Sequence, residues 1–432
     1  MIRSVLTNFS ARLGGAVLSF LMLLLTTRYL GKDVRGEIAA IQLAISIVQL
    51  VSDLAGSSSM VYLVPRTSLT KLLLAGSAWA VFSAATIGLS LVHFFDVIPA
   101  NYNYATLLIA LLISLHSINQ SILLGQQRLK AVNLFIIAQG VMQYGGMLLC
   151  IFVFNLQDAW PFVYACLFSY SIMYLIGLLI VTRHAPKPSL HLGQGVLSLL
   201  FLNGFFTQGA NLGMKLVLSR NYSLLKTMPG GGNGAVGIFS TAYALGEAIL
   251  LFAASASTII IARVANKGDH EAERSTVLRL SKLSLGMTIL AVIFFALLPP
   301  EFYSMLIGGK KHAAEFLQIK SVFLSLTPGT LVLSFATVYS HYFSGAGKHY
   351  LNFISSIIAY ACVMIFSGML VDTQGINGAG WSTSISYCSL SLFVFIIFML
   401  IGGNKKDDWK ALLPSGNDVR FIKQYLRGTK AS

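Results

Sequence analysis

Long apolar runs separated by short charged or Pro/Gly-containing segments follow one another along nearly the whole chain. Most runs have about 20 residues or more, the length that an α-helix needs to cross the hydrocarbon core of a bilayer. Within several runs, polar side chains recur three or four residues apart, which places them on one face of a helix. The pattern predicts an all-α integral membrane protein with about twelve transmembrane helices. They cover residues 9–30, 38–63, 72–92, 104–124, 132–154, 160–182, 196–219, 235–261, 283–306, 317–343, 351–371 and 376–401.

The composition agrees with a polytopic membrane protein. Of the 432 residues, 56% are hydrophobic and only 10% are charged, and the mean hydropathy is +0.75. Soluble domains carry roughly 25% charged residues. The connections between runs are short, so no sizeable soluble domain is predicted. The four cysteines lie inside apolar runs without the spacing of a metal site, and we expect no metal, no cofactor and no disulfide framework.

The basic residues predict an orientation. Of the 30 Lys and Arg residues, 21 fall on one set of connections and termini, 7 fall on the other set, and Lys215 and Lys320 lie within predicted helices. Because basic residues concentrate on the cytoplasmic side, both termini are predicted to be cytoplasmic. The net charge of +15 is then explained by contact with anionic lipid, and no nucleic-acid partner is expected.

The order of short motifs suggests an internal duplication. TTRYLGKDVRGEIAA joins the first two runs, and LSRNYSLLKTMPGGGNGAVGIFSTA joins the seventh and eighth. GQQRLKAVNLFII is echoed by GAGKHYLNFISSII, and DAWPFVYACLFSYS by GAGWSTSISYCSLS. Three echoes in the same order predict two parallel six-helix bundles around a central cavity. The predicted division is residues 1–190, residues 191–403 and a basic cytoplasmic tail at 404–432.

Polar stripes within the runs are the candidate functional feature. The second run carries Gln42, Ser46, Gln49 and Asp53 on one face, and the eighth run carries Glu247. The seventh run carries such a stripe at Gln208, Asn211, Lys215 and Ser219. Amides and hydroxyls either hydrogen-bond between helices or line an aqueous cavity. Charged side chains persist within a membrane mostly where they have a partner or a water-filled cavity.

Three segments carry a resemblance to a known family. RYLGKDVRGE at 28–37, GAVGIFSTAYALGEAIL at 234–250 and QGINGAGWSTSISY at 374–387 resemble the polysaccharide transporters of the multidrug/oligosaccharidyl-lipid/polysaccharide flippase superfamily, and among them the O-antigen flippase branch. The resemblance implies a flippase that moves an undecaprenyl-diphosphate-linked oligosaccharide to the periplasmic leaflet of the bacterial inner membrane. The glycan would serve O-antigen (lipopolysaccharide), capsule or exopolysaccharide assembly, with membrane lipids, a polysaccharide polymerase and a chain-length regulator as partners.

A diphosphate crossing a low-dielectric barrier requires cations, and arginine suits bidentate phosphate contacts. The predicted substrate-binding residues are Arg28, Arg35, Lys215, Arg220, Gln208 and Asn211. Asp53 and Glu247 are predicted to carry a coupling ion or to weaken retention of the diphosphate. Two alternatives stay open: snorkelling of the Arg28 and Arg35 side chains to the interface, and pairing of Lys215 with Asp53 or Glu247.

The same sequence features bear on three alternative functions: an enzyme of polysaccharide assembly, a multidrug exporter and a lipid II flippase. No nucleophile–base pair or phosphate-binding glycine loop is evident, and the outer connections are short, so a polysaccharide polymerase or ligase is disfavoured and no enzyme activity is predicted. Within the superfamily, a multidrug exporter is the alternative, with an acidic and aromatic lumen expected for cationic drugs. A lipid II flippase is a further alternative, although that branch usually has fourteen spans.

Overall fold

The structure is a computed structural model that describes residues 2–55, 60, 63–64, 68–93, 98–183, 196–267 and 270–401. The predicted basic tail at 404–432 lies outside the described residues. Twelve α-helices account for nearly all of the described chain. They are α1 Ile2–Ser52, α2 Leu69–His93, α3 Asn103–Gly125, α4 Leu129–Phe152, α5 Trp160–Thr182, α6 Val196–Thr227, α7 Asn233–Lys267, α8 His270–Leu297, α9 Pro300–His312, α10 Ile319–Gly345, α11 His349–Gln374 and α12 Ile376–Ile401.

The first helix contains two membrane crossings joined by a break. Gly31 has φ 83° and ψ −176°, which is outside the helical region, so α1 divides into a first arm (2–30) and a second arm (32–52). Glycine adopts positive φ at little cost because it has no Cβ. The second arm ends at Ser52 and continues as a 3₁₀ turn, Asp53–Ala55.

The number of crossings agrees with the sequence. Nine helical segments in the described part of the chain are long and apolar enough to span a membrane. The first of these, Leu13–Ser52, contains the break at Gly31 and therefore crosses twice. α6 and α7, with 32 and 35 residues, reach about 48 and 52 Å at 1.5 Å per residue, which also exceeds the bilayer core. The prediction of an all-α membrane protein with about twelve transmembrane helices is confirmed.

Some predicted boundaries were wrong. The ninth span was placed at 283–306, but α8 ends at Leu297 and the short helix α9 begins at Pro300. Proline and the residue before it disfavour continued helix, so the Pro299–Pro300 pair ends α8 although the apolar run continues. The polar segment 262–282 was treated as a loop, but α7 extends to Lys267 and α8 begins at His270. Glu, Lys, Arg and Ala are strong helix formers, so a segment rich in these residues forms a helix even though the segment is polar.

The two halves share a turn at one pair of the sequence echoes. Between α3 and α4, Arg128 N–H donates to Leu123 O at 2.9 Å, and Gln127 has φ 59°. Between α10 and α11, Lys348 N–H donates to Phe343 O at 2.8 Å, and Gly347 has φ 72°. Both are helix C-terminal caps with a left-handed residue. The echo GQQRLK/GAGKHY is therefore the same local structure in each half.

The halves contact each other closely at two places along the second arm of α1. At its start, a Cβ on Gly36 would collide with the Asn233 backbone, and a Cβ on Gly237 would collide with the Lys32 carbonyl. Just past its end, in the 3₁₀ turn, a Cβ on Gly204 would collide with the Leu54 carbonyl. Small residues let helix backbones approach closely. We call these the Gly36–Gly237 contact and the Leu54–Gly204 contact.

Apolar packing holds the bundle together. The largest cluster crosses between the halves, with Ile41 of α1, Phe239 of α7 and Phe323 of α10 almost fully buried. Large apolar side chains on the outer faces, such as Leu290 and Phe294 of α8, are 64% and 60% exposed. Such exposure is ordinary for helix faces that meet lipid.

Candidate functional site

A cavity of about 640 Å³ lies between the halves. Its walls come from both arms of α1, from α4 and α5 of the first half, and from α6 and α7 of the second half, with one residue from α3. Polar lining side chains are Ser19, Thr26, Arg35, Gln42, Ser46, Gln49, Gln139, Gln143, Tyr170, Lys215, Tyr222, Ser240, Tyr243 and Glu247. Helix faces that carry this many polar groups are costly in lipid, and here they face an interior space.

Arg35 is a buried cation in the wall of this cavity. Only 7% of the residue is exposed. Its Nη1 donates to Gln42 Oε1 at 3.3 Å, and its Nε makes no hydrogen bond to protein. Buried polar groups are almost always satisfied, and a buried charge without a strong partner is expensive. An anion that enters the cavity would supply the missing acceptor, with the paired geometry that arginine offers to phosphate.

Lys215 and Glu247 face the same cavity from the second half. Lys215 of α6 is half-buried and Glu247 of α7 is exposed, and both line the space. Among the described residues no ion pair joins Lys215 to Glu247 or to Asp53. The pairing alternative is therefore not realised in this conformation. The cavity carries two cations, Arg35 and Lys215, against one carboxylate.

A group of amides and tyrosines completes the wall. Gln139 Nε2 donates to Gln143 Oε1 at 2.8 Å, and Gln143 Nε2 lies 2.8 Å from Cys166 Sγ. The Tyr243 hydroxyl lies 2.9 Å from that of Tyr387 and also interacts with Glu247. Sequence reasoning did not select Gln139 and Gln143, although their spacing of four residues on one helix face was a usable signal.

Arg28 is placed at a helix junction. Its Nε donates to Leu306 O of α9 at 2.8 Å, and the neighbouring Thr27 hydroxyl donates to Ile307 O at 2.7 Å. Next to it, Glu315 accepts hydrogen bonds from Lys32 N–H at 3.0 Å and from His312 at 2.6 Å. These contacts dock α9 and the following 3₁₀ turn onto the break at Gly31. Arg28 is not among the residues that line the cavity.

Arg220 also lies off the cavity wall. It follows Lys215 by five residues, and at 100° per residue the two side chains leave α6 about 140° apart. Its Nε is buried and makes no hydrogen bond to protein. Arg28 and Arg220 were both predicted to bind the substrate, but neither guanidinium group lies in the cavity wall with Arg35.

The remaining predicted residues lie nearer the other end of α6 and α1. Gln208 lines a separate apolar groove, and its Oε1 accepts from Asn211 at 3.2 Å. Asp53 Oδ1 accepts from the Ser117 hydroxyl at 2.9 Å, so the carboxylate turns toward α3. Neither Asn211 nor Asp53 lines the cavity. The described residues contain no group of three or more His, Cys, Asp or Glu side chains suited to a metal ion.

The fold is similar to that of several solved transporters. No protein-family model and no curated protein sequence matches the chain. The inward closed structure of the lipid II flippase MurJ has a TM-score of 0.74 at 17% identity, covering 100% of this chain and 94% of that one. An inward-facing multidrug resistance MATE transporter of the MOP superfamily has a TM-score of 0.72 at 15% identity, covering 92% and 98%.

A third solved structure has a similar fold. A MOP-superfamily transporter from Pyrococcus furiosus, described as having a binding pocket of reversed polarity, has a TM-score of 0.67 at 15% identity, covering 92% of this chain and 95% of that one. At these identities the likeness establishes the fold. The chain thus has the fold of the MOP-superfamily transporters, with a polar cavity between its two halves.

Proposed function

We propose that this protein is a flippase for a lipid-linked oligosaccharide that carries a diphosphate, moving it from the cytoplasmic to the periplasmic leaflet of a bacterial inner membrane. The observation that carries the proposal is Arg35, a buried guanidinium in the cavity wall with a donor that makes no hydrogen bond to protein. The fold similarity to MurJ, a lipid II flippase, supports the same class of substrate.

The electrostatics of the cavity suit a diphosphate. Two cations in a partly dehydrated space interact with an anion far more strongly than they would in water. Arg35 lies near the Gly36–Gly237 contact, and Lys215 lies further along the cavity. On the orientation predicted from the basic residues, the Gly36–Gly237 contact is periplasmic and the Leu54–Gly204 contact is cytoplasmic. A diphosphate moving outward would then be held by Lys215 and Arg35 in turn.

The sugar portion requires hydrogen-bonding groups rather than charge. Gln42, Gln49, Gln139 and Gln143 provide donors and acceptors along the first-half wall. Neutral amides suit many sugars because they donate and accept at once. We propose O-antigen, capsule or exopolysaccharide repeat units as cargo, delivered to a polymerase and a chain-length regulator.

Export of cationic drugs is the second candidate. One observation favours it: Glu247 faces the cavity, with the tyrosines Tyr222 and Tyr243 nearby. Aromatic rings and a carboxylate attract organic cations. The two candidate functions predict opposite effects of Lys215→Ala. Removing this cation weakens binding of a diphosphate and strengthens binding of a cationic drug.

The test is surface polysaccharide per unit of membrane-inserted protein in a deletion strain complemented with each variant. The deletion should stop export while the lipid-linked unit is still made. Lys215→Ala and Arg35→Ala should lose most export at normal abundance, and Lys215→Arg should retain a good part of it. Lys320→Ala is the matched control, since Lys320 Nζ donates to Leu298 O at 2.7 Å outside the cavity.

Three results would contradict the proposal. Wild-type export by both alanine variants would remove the cavity cations from transport. Display of single repeat units on the deletion strain would place the block after flipping, as expected for a polymerase. Unchanged polysaccharide together with increased sensitivity to cationic dyes in the deletion strain would favour drug export.

A further inference from the structure

An apolar groove of about 260 Å³ lies beside the polar cavity. One side is formed by Leu50 of the second arm of α1 and Leu54 of the 3₁₀ turn that follows it. The other side is formed by Leu216 of α6 with Phe353 and Ile357 of α11. No charged residue lines it. The volume is just below the roughly 300–1,000 Å³ of small-molecule pockets, which suits one segment of a hydrocarbon chain.

The groove is a built feature of the helix packing. A Cβ on Gly209 would lie 2.7 Å from Phe353 Cε2, and a Cβ on Gly213 would lie 2.5 Å from Ser356 Oγ. The two glycines, four residues apart on α6, therefore let α11 approach closely and close the floor of the groove.

Two of the three polar side chains at the groove, Ser356 and Gln208, have partners within the protein, and the third is Tyr360. The Ser356 hydroxyl donates to Phe353 O at 2.8 Å, and Gln208 Oε1 accepts from Asn211. A ligand in this groove is thus recognised mainly by apolar contact.

The groove and the cavity use adjacent residues of the same two helices. On α1, Gln49 lines the cavity and Leu50 lines the groove. On α6, Lys215 lines the cavity and Leu216 lines the groove. A ligand held at Lys215 reaches the groove by crossing the width of one helix, about 10 Å. The pair of sites therefore matches an amphiphile with an anionic head and a long apolar chain.

We propose that this groove binds the polyprenyl chain of the lipid-linked substrate while its diphosphate occupies the cavity. The inference rests on the proposed function and adds a second subsite to it. The groove lies between the halves, since α1 belongs to the first and α6 and α11 to the second. On the predicted orientation it lies in the cytoplasmic half of the membrane, the half from which the substrate starts. A chain held there anchors the substrate while the head group enters the cavity.

The experiment measures binding of two probes to the full-length protein in phospholipid nanodiscs. Undecaprenyl diphosphate and geranyl diphosphate share the head group and differ in chain length. We expect the wild type to prefer the long chain by about tenfold or more, because only the long chain fills the groove and buries its apolar surface there. Leu216→Trp, which fills the groove, should abolish the preference while it retains affinity for geranyl diphosphate.

Two further variants make the result specific. Ile357→Trp fills the groove from α11, where the residue is 50% exposed, and should act like Leu216→Trp even if that variant folds poorly. Leu175→Trp adds the same bulk at an outer-face position of α5 that is 56% exposed, and should keep the wild-type preference. Lys215→Ala should weaken both probes about equally, since it acts on the shared diphosphate.

The outcomes distinguish failure of the groove proposal from failure of the proposed function. If the chain-length preference survives in both groove-filling variants, the proposal that the groove binds the polyprenyl chain is wrong. An absent preference in the wild type, with both probes bound, also overturns it and indicates that phospholipid acyl chains occupy the groove instead. Failure of the wild type to bind either diphosphate overturns the proposed function itself.

Discussion

Gly36→Ala tests whether the Gly36–Gly237 contact closes the cavity on the side that is predicted to be periplasmic. The Cβ of alanine would collide with the Asn233 backbone, which cannot rotate aside as a side chain can. The substitution should therefore separate the two halves at this contact. We expect it to favour the conformation in which the cavity is open to the periplasm.

The size of the effect follows from the packing. Inserting a methyl group into a close-packed contact costs about 1–3 kcal/mol. The helix propensity gained on replacing glycine by alanine, about 1 kcal/mol, stabilises both conformations and cancels from their ratio, provided residue 36 is helical in each. The ratio of open to closed states should therefore rise about 5- to 150-fold, the range that 1–3 kcal/mol gives.

The assay is the labelling rate of a single cysteine in the cavity by a membrane-impermeant thiol reagent added from the periplasmic side. Gln42→Cys provides the reporter, because Gln42 lines the cavity and is exposed within it. The four native cysteines are first replaced, since Cys166 also lines the cavity. Gly36→Ala should raise the labelling rate.

Two matched substitutions serve as controls for the labelling rate of Gly36→Ala. Gly286→Ala adds the same methyl group where a Cβ would meet nothing within 4 Å, and should label like the parent. Gly204→Ala disrupts the Leu54–Gly204 contact and should slow labelling, because it favours opening at the opposite end. Equal labelling rates for Gly36→Ala and Gly286→Ala would show that the Gly36–Gly237 contact does not close the cavity. Faster labelling of Gly204→Ala would contradict the membrane orientation predicted from the basic residues.

The remaining predictions concern topology and the docking of α9. Alkaline-phosphatase fusions should be active after Asp158 and Asp372 and inactive after Lys130 and Lys267, and the reverse pattern would refute the predicted orientation. Partial burial opposes ionisation of Glu315, but hydrogen bonds from His312 and from Lys32 N–H outweigh it and lower the pKa. Its stabilising contribution is therefore complete above the ordinary value of 4.5 and is lost as the pH falls through the lowered pKa. Glu315→Gln should flatten this decline of thermal stability at acid pH, whereas Glu301→Gln should leave it unchanged. Equal declines in the wild type and both variants would contradict the stabilising contribution assigned to Glu315.

The sequence predicts both Lys215 and Arg35 as site residues, but for different reasons. Lys215 stands in an apolar run on a polar stripe, and a charge in such a place requires an interior surface. Arg35 is predicted together with Arg28 and Arg220 because a diphosphate requires cations and arginine suits phosphate contacts. The structure separates them: Arg35 lines the cavity, Arg28 docks α9, and Arg220 leaves α6 in another direction. Charge and position in the sequence do not distinguish these environments.

The sequence by itself determined the helical membrane class and the number of crossings, because both follow from the length and number of the apolar runs. Only the tertiary structure decided which part of each polar stripe faces the cavity. Gln208 and Lys215 share a face of α6 but lie about 10 Å apart along its axis, so one meets α11 and the apolar groove while the other meets the cavity. Asp53 follows Gln49 by four residues, yet α1 ends at Ser52 and the carboxylate turns to Ser117 of α3. A stripe fixes the direction of side chains around one helix, whereas their neighbours depend on where other helices cross it.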